Sequence, residues 1–272
     1  MFGEGKYHLI PSFFRTLIYL KKQKREFSVI FRTFGNELDK IVWEFNRFCN
    51  GLHPCFSGRN GTPLIRFDGS KGAKDLRIRD GEQKGLFYRL SNEIQDTRFL
   101  QGTYDRENKT YHEFNQVLYD DSTYSNYEMS EDHLIIYQKI LDTLKKFSSM
   151  AISDDYNSWT ENDNHREVAK LLLLDQGDYG TQHIFFDDKA DDDEDCNVDA
   201  RDVISKEILS DKKTKNINVI KVEPHRAILE PDYFIKMIEI AEQGRDEEIE
   251  RVEGGVADEG EEREVVDEWS KL

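Results

Sequence analysis

Apolar positions in the first sixty residues repeat first with a helical period, then as a short run, then with a helical period again. Phe13, Phe14, Leu17, Ile18 and Leu20 line one side of a helix predicted over 11–24, and Pro11 suits its first turn. Lys21, Lys22, Lys24 and Arg25 gather at its negative end, where the helix dipole favours them. Residues 27–31 (FSVIF) form a compact apolar run with a helix on either side, the pattern of a central parallel strand. Leu38, Ile41, Val42, Phe45 and Phe48 then predict a helix over 37–48. Asn36 would cap it, with Asp39 in the capping-box position. Helix, strand, helix is one unit of an α/β fold.

The middle of the chain has a different rhythm. Stretches 75–79, 85–90 and 97–103 are short and strand-like, separated by Gly, Asn and Asp, as in a β-rich insertion. The αβ alternation returns with a helix over 131–147 and a strand over 150–153. It continues with a helix over 167–174 and strands over 182–186 and 218–222. Pro224 and Pro231 bracket a turn before a last helix over 233–242. From Gly244 onward Glu, Asp, Arg and Gly dominate, a composition too poor in apolar surface to offset chain entropy. The predicted organisation is therefore an α/β core at 1–59 and 130–243, a β-rich insertion at 60–129, and an acidic disordered tail at 244–272.

Charge narrows the range of partners. The formal net charge of the 272-residue chain is −17, so nucleic acid and anionic membrane would repel it. Hydrophobic residues make up 37% and charged residues 34%, which implies an ordered core smaller than the length suggests. Residues 7–20 are too short and too polar to span a bilayer. Three cysteines, Cys49, Cys55 and Cys196, have no metal-site spacing and fit free thiols in a reducing, cytoplasmic compartment, with the nucleus an alternative. The acidic tail offers a dock for a basic partner.

The candidate chemistry sits in HIFFDDKADDDEDC, residues 183–196. Asp187 and Asp188 end an apolar strand, where open α/β sheets keep their ligands. The acids at 191–195 read as a solvated loop. The seven histidines have no paired ligand spacing, and neither GxGxxG nor GxxxxGK[ST] occurs. Arg77, Arg79 and Arg89 could face an anion or form the wet side of a half-buried sheet. Asp154 and Asp155 could add to a site or cap the next segment, and Trp159 reads as packing.

Three motifs in order, SVIFRTFG, REVAKLLLLD and HIFFDD, resemble the second, third and fourth motifs of the haloacid dehalogenase (HAD) superfamily. FRTFG, DDY with Trp159 soon after it, and IFFDD are similar, more narrowly, to a poorly characterised HAD-like family, over roughly residues 7–243. The resemblance implies a Rossmannoid parallel sheet and a magnesium-dependent phosphatase acting on a phosphorylated small molecule or protein. Thr33 would hydrogen-bond the phosphoryl group and Lys170 would offset its charge. Asp187 and Asp188 would hold Mg2+, which needs only one or two carboxylates beside its waters. The superfamily's first motif, an apolar strand ending in DxD that carries the nucleophilic aspartate, has no counterpart before Pro11, where the chain reads MFGEGKYHLI. LIRFDGSKG, 64–72, is a weak lookalike with a single Asp in the wrong order. Two expectations follow: the sequence belongs to a longer enzyme that has the first strand, or it is a catalytically inactive HAD-like binding or scaffold protein.

Overall fold

Two helices and one strand near the amino end build most of the larger core. The computed structural model describes residues 6–59, 61, 64–89, 97–104, 128–190 and 196–253. Helix α1 (Pro11–Lys22) begins with proline, whose missing N–H costs nothing there, and ends with Lys21 and Lys22 in its last turn. Strand β1 (Val29–Thr33) follows, then α2 (Leu38–Cys49). Leu38, Val42, Phe45 and Phe48 of α2 are buried against Phe14 and Leu17 of α1, together with Phe56 and Phe67 from the next loop. The Phe14 and Phe48 rings are 4.4 Å apart, and each such ring contributes about 2 kcal/mol by leaving water. The residue before α2 is Glu37, and no side chain bonds to the helix start, so the expected Asn36 cap is not formed.

Strands β2 (Lys84–Arg89), β3 (Thr97–Gln101) and β4 (Glu128–Ser130) come next, then α3 (His133–Phe147) and β5 (Ser149–Ser153). Asp132 caps α3 by accepting from the Leu134 and Ile135 amides at 3.0 and 3.2 Å. One mixed sheet has the order β1-β5-β2-β3-β4. Strand β5 runs parallel to β1, Val29 opposite Ser149 through Thr33 opposite Ser153, and parallel to β2. The β2–β3 and β3–β4 pairs are antiparallel. The described strands of segment 60–129 therefore extend the same sheet as β1 and β5. Residues 75–79 form no strand, although Leu76 and Ile78 are buried.

Strand β1 is parallel, as expected, but terminal in its sheet rather than central. An apolar run reports burial of the two faces, here Val29 and Phe31 against α1 and α2 and Ile30 against the cluster of Ile136 and Leu171, and says nothing about whether an edge has a neighbour.

The second half contains α4 (Tyr156–Glu161), β6 (Lys170–Leu174), β7 (Phe185–Asp187) and β8 (Val198–Asp202). These are followed by α5 (Asp211–Thr214), β9 (Val219–Lys221), α6 (Pro224–Leu229) and α7 (Tyr233–Glu253). Two further parallel pairs form, β6 with β8 and β7 with β9. The helix expected over 167–174 is instead a 3-10 turn at Arg166–Val168 followed by β6. Its four leucines are buried on both faces, and a short fully buried run has no period by which to tell strand from helix. Strand β8 gave no apolar signal because VDARD places Asp199, Arg201 and Asp202 inside. Arg201 satisfies part of that cost by donating to Asp199 at 2.8 Å and to the Lys206 carbonyl at 3.3 Å.

Helix α1 joins the two halves. The Ser12 hydroxyl donates to the Ala227 carbonyl in α6, and Arg25 pairs with Glu242 in α7. Helix α7 continues through Gly244 to Glu253, past the point where composition predicts loss of order. Gly244 lies so close to Asn216 that a Cβ there would meet its carbonyl oxygen at 2.8 Å. That glycine serves close packing, while Gln243–Glu247 and Arg251–Glu248 contacts support the exposed turns. The remainder of the tail and the acids at 191–195 lie outside the described residues. Among the described residues no helix is long and apolar enough to cross a membrane.

Burial raises the Asp199 carboxyl to about 6 despite Arg201, Arg89 and Arg166 nearby. Because the folded value exceeds the unfolded one, the folded chain holds that proton longer. Its stabilising contribution is full below about pH 4 and lost as pH rises through about 6. Thermal melts of wild type and Asp199→Asn should therefore shift in the variant's favour as pH rises across that window. A constant difference between the two would contradict this account.

Candidate phosphate and cation site

Asp187 is the last residue of β7 and Lys170 the first of β6, and the two meet. Lys170 Nζ lies 2.7 Å from Asp187 Oδ2, with the side chains 8% and 9% exposed. The other carboxylate oxygen, Oδ1, accepts the Lys189 amide at 3.0 Å, and the Asp187 carbonyl accepts the Val222 amide at 2.8 Å. Both ends of the residue are thus fixed, one by a turn and one by the chain following β9. Asp188 is exposed in that turn. The adjacent carboxylates therefore differ: one is held by a buried ammonium and the other faces solvent.

Thr33 closes β1. Its carbonyl accepts the Asp154 amide at 2.8 Å, and its hydroxyl oxygen accepts the Gly35 amide at 2.9 Å. The hydroxyl acts as acceptor there, so its own proton remains for a second partner. Phe34, the next residue, carries the link to the first pair, because Lys170 Nζ stands 4.8 Å from the centre of its ring. Trp159 stacks on Phe34 at 5.0 Å and 16°, and Tyr156 meets it edge-on at 6.0 Å. Trp159 is buried, as a packing residue should be, yet what it packs is the aromatic floor beneath Lys170.

Arg32 is the organising residue that the sequence did not single out. Its guanidinium pairs with Asp154, donates to the Leu171 carbonyl at 2.5 Å, and lies 4.8 Å from the Phe87 ring and 5.5 Å from the Phe185 ring. One side chain thereby holds β1, β2, β6 and β7 in relation. The available signal was an arginine inside an otherwise apolar strand, which requires a buried counter-charge. Asp154 supplies it, with its side chain 2% exposed. Asp155 accepts the Ser158 amide at 3.2 Å at the start of α4 and the Arg89 amide at 3.0 Å, which makes it a cap.

Asp68 of LIRFDGSKG is held at about 2 by its hydrogen bond from Ser70, helped by Arg66, in a loop with Arg77 and Asp75. Its carboxylate accepts from Arg66 and Ser70 of the same loop. The three arginines of the middle segment are not one set. Arg77 and Arg79 pair with Asp75 at 2.7 and 3.0 Å, while Arg89 is buried and donates to the Glu167 carbonyl. A depression of about 380 Å³ lies beside Arg77, Arg79 and Lys146. Its cations are already neutralised, Lys146 by Glu82 at 2.8 Å, so it offers an anion little.

Asp187 and Asp188 share the wall of another cavity, about 300 Å³ in volume. No group of three His, Cys, Asp or Glu side chains among the described residues could hold a metal ion. Two carboxylates are nonetheless enough for magnesium, a hard cation that keeps most of its waters. Asp188 is open, and each Asp187 oxygen still has a lone pair, so the donors fit that ion and would suit a softer metal poorly. The chain matches no protein-family model, no curated protein and no solved structure.

Breaking a buried ion pair from one side strands the other charge. Lys170→Met and Asp187→Leu should each lower unfolding free energy by about 3 kcal/mol in urea titrations, and the double variant by clearly less than the sum. Additive losses would mean that the two groups do not interact.

Proposed function

We propose that Thr33, Lys170, Asp187 and Asp188 form the cation- and phosphate-binding part of an HAD-like, magnesium-dependent phosphohydrolase centre. The observation that carries this reading is the buried Lys170–Asp187 pair beside an open Asp188 at the end of β7. Magnesium bound there would offset phosphoryl charge as a Lewis acid. The chain's own groups have separable tasks. Lys170 neutralises Asp187 and holds its carboxylate in one orientation, with the Phe34 ring beneath the ammonium. Thr33 presents a hydroxyl donor fixed at a strand end. Hydrolysis through this arrangement also needs a carboxylate nucleophile, and none of the described residues brings one. Asp154, Asp155 and Asp68 are each committed elsewhere.

That last point favours a second reading, in which the site binds phosphate and cation without turnover and the protein acts as an HAD-like binding or scaffold module. Turnover of a phosphomonoester, abolished by Lys170→Ala, would favour the hydrolase.

Both readings require the cation. Two carboxylates repel a phosphate, and Lys170 offsets only one of them, so inorganic phosphate should bind in calorimetry with Mg2+ present and not with EDTA. Asp188→Asn, an exposed substitution, should weaken binding about tenfold or more, a loss of about 1.4 kcal/mol. Phosphate binding unaffected by EDTA, or none with Mg2+, would remove the proposal.

A further inference from the structure

The cavity that contains Asp187 and Asp188 is polar at that end only. Its remaining wall is Ile10, Phe186, Val222, Pro224, Ile228 and Phe234, drawn from the start of α1, from β7, from the segment after β9 and from α6 and α7. Phe186 and Phe234 meet edge to face at 5.2 Å, which fixes the floor of the groove. Ile228 stands 57% exposed at the rim, and Pro224 is also exposed. A volume of about 300 Å³ equals roughly ten water molecules and lies at the lower end of the range for small-molecule pockets.

The juxtaposition arises at the carboxyl end of β7. Phe186 and Asp187 are neighbours in that strand, and both line this cavity together with Asp188. An occupant must therefore match two chemistries within one small volume. The acidic end needs a cation, with or without an anion held on it. The other end gains only from apolar contact, about 25 cal/mol per Å² removed from water.

We infer that the groove takes the alcohol part of a phosphate monoester, and that this alcohol is an apolar chain or ring. The inference rests on the cation and phosphate reading of Asp187 and Asp188 and adds the substrate class. Polar alcohols such as sugars would leave their hydroxyls unpaired against Phe186, Val222 and Phe234 and are discriminated against.

Calorimetry on the full chain with Mg2+ tests the two claims separately. The probes are inorganic phosphate, glycerol phosphate and hexyl phosphate. Inorganic phosphate reads the acidic end alone, and the difference between probes reads the groove. Hexyl phosphate should bind about tenfold tighter than phosphate and than glycerol phosphate. Ile228→Asn, on the exposed rim where folding is not at risk, should shrink that gain at least about threefold and leave phosphate affinity unchanged. Phosphate binding with no gain for hexyl phosphate overturns the groove assignment and leaves the cation and phosphate site intact. Absence of all binding removes both. Hexyl phosphate binding that persists in EDTA would show the groove acting without the carboxylates and also overturns the inference. So would a concentration-dependent dimer in sedimentation that Ile228→Asn dissolves, since a second copy would then cover the groove.

Discussion

A lysine and an aspartate, both nearly shut off from water, face each other at 2.7 Å between the start of one strand and the end of another. Neither charge is tolerable there alone. Lys170 is held by β6, whose four leucines are buried, and Asp187 by the turn at Lys189 and the segment after β9. The pair thus needs the β6–β8 and β7–β9 pairings to be in place together. Arg32 performs a similar task from β1, with Asp154 as its counter-charge and the Leu171 carbonyl as its second acceptor. Buried charges at the strand ends, rather than apolar burial alone, set the relative positions of the sheets around the site.

This arrangement separates two jobs that adjacent carboxylates could otherwise confuse. Asp187 is restrained by its pairing with Lys170, while Asp188 is exposed. A like-charged neighbour is then less costly, and on the proposed reading a cation at the end of β7 would meet one anion already offset by Lys170. The aromatic floor of Phe34 and Trp159 lies on the Lys170 side, and the apolar groove of Phe186 and Phe234 opens beside the carboxylates. The functional reading draws on this asymmetry: a charged centre with one packed aromatic side and one open apolar side.

Much of this was legible before the structure, and the failures have physical causes. Helices α1, α2 and α3 were readable because a surface helix shows its apolar stripe at a period of 3.6. Asp187, Asp188 and Thr33 were singled out by motif and strand-end position, and they do stand at or just after strand ends. Lys170 was assigned to the wrong element, because KLLLL is buried on every side and shows no period. Strand β8 was invisible since its buried charges imitate a loop, and only tertiary partners such as Arg201 and Asp199 make it a strand. The terminal position of β1 was not readable, as sequence reports faces and not edges. Gly244 misled in the opposite direction: a residue that usually ends a helix is here the point of closest approach to Asn216. Arg32 was overlooked because its partner, Asp154, lies far away in the chain.

The central claim is that a divalent cation belongs at the end of β7. Crystals of the chain soaked in Mn2+, a substitute for Mg2+ with similar oxygen preference, would test it by anomalous scattering. The account predicts a peak in contact with the Asp187 and Asp188 carboxylates, lost in Asp188→Asn. No peak there, or a peak at some other acidic cluster with Asp187 and Asp188 bare, would contradict it.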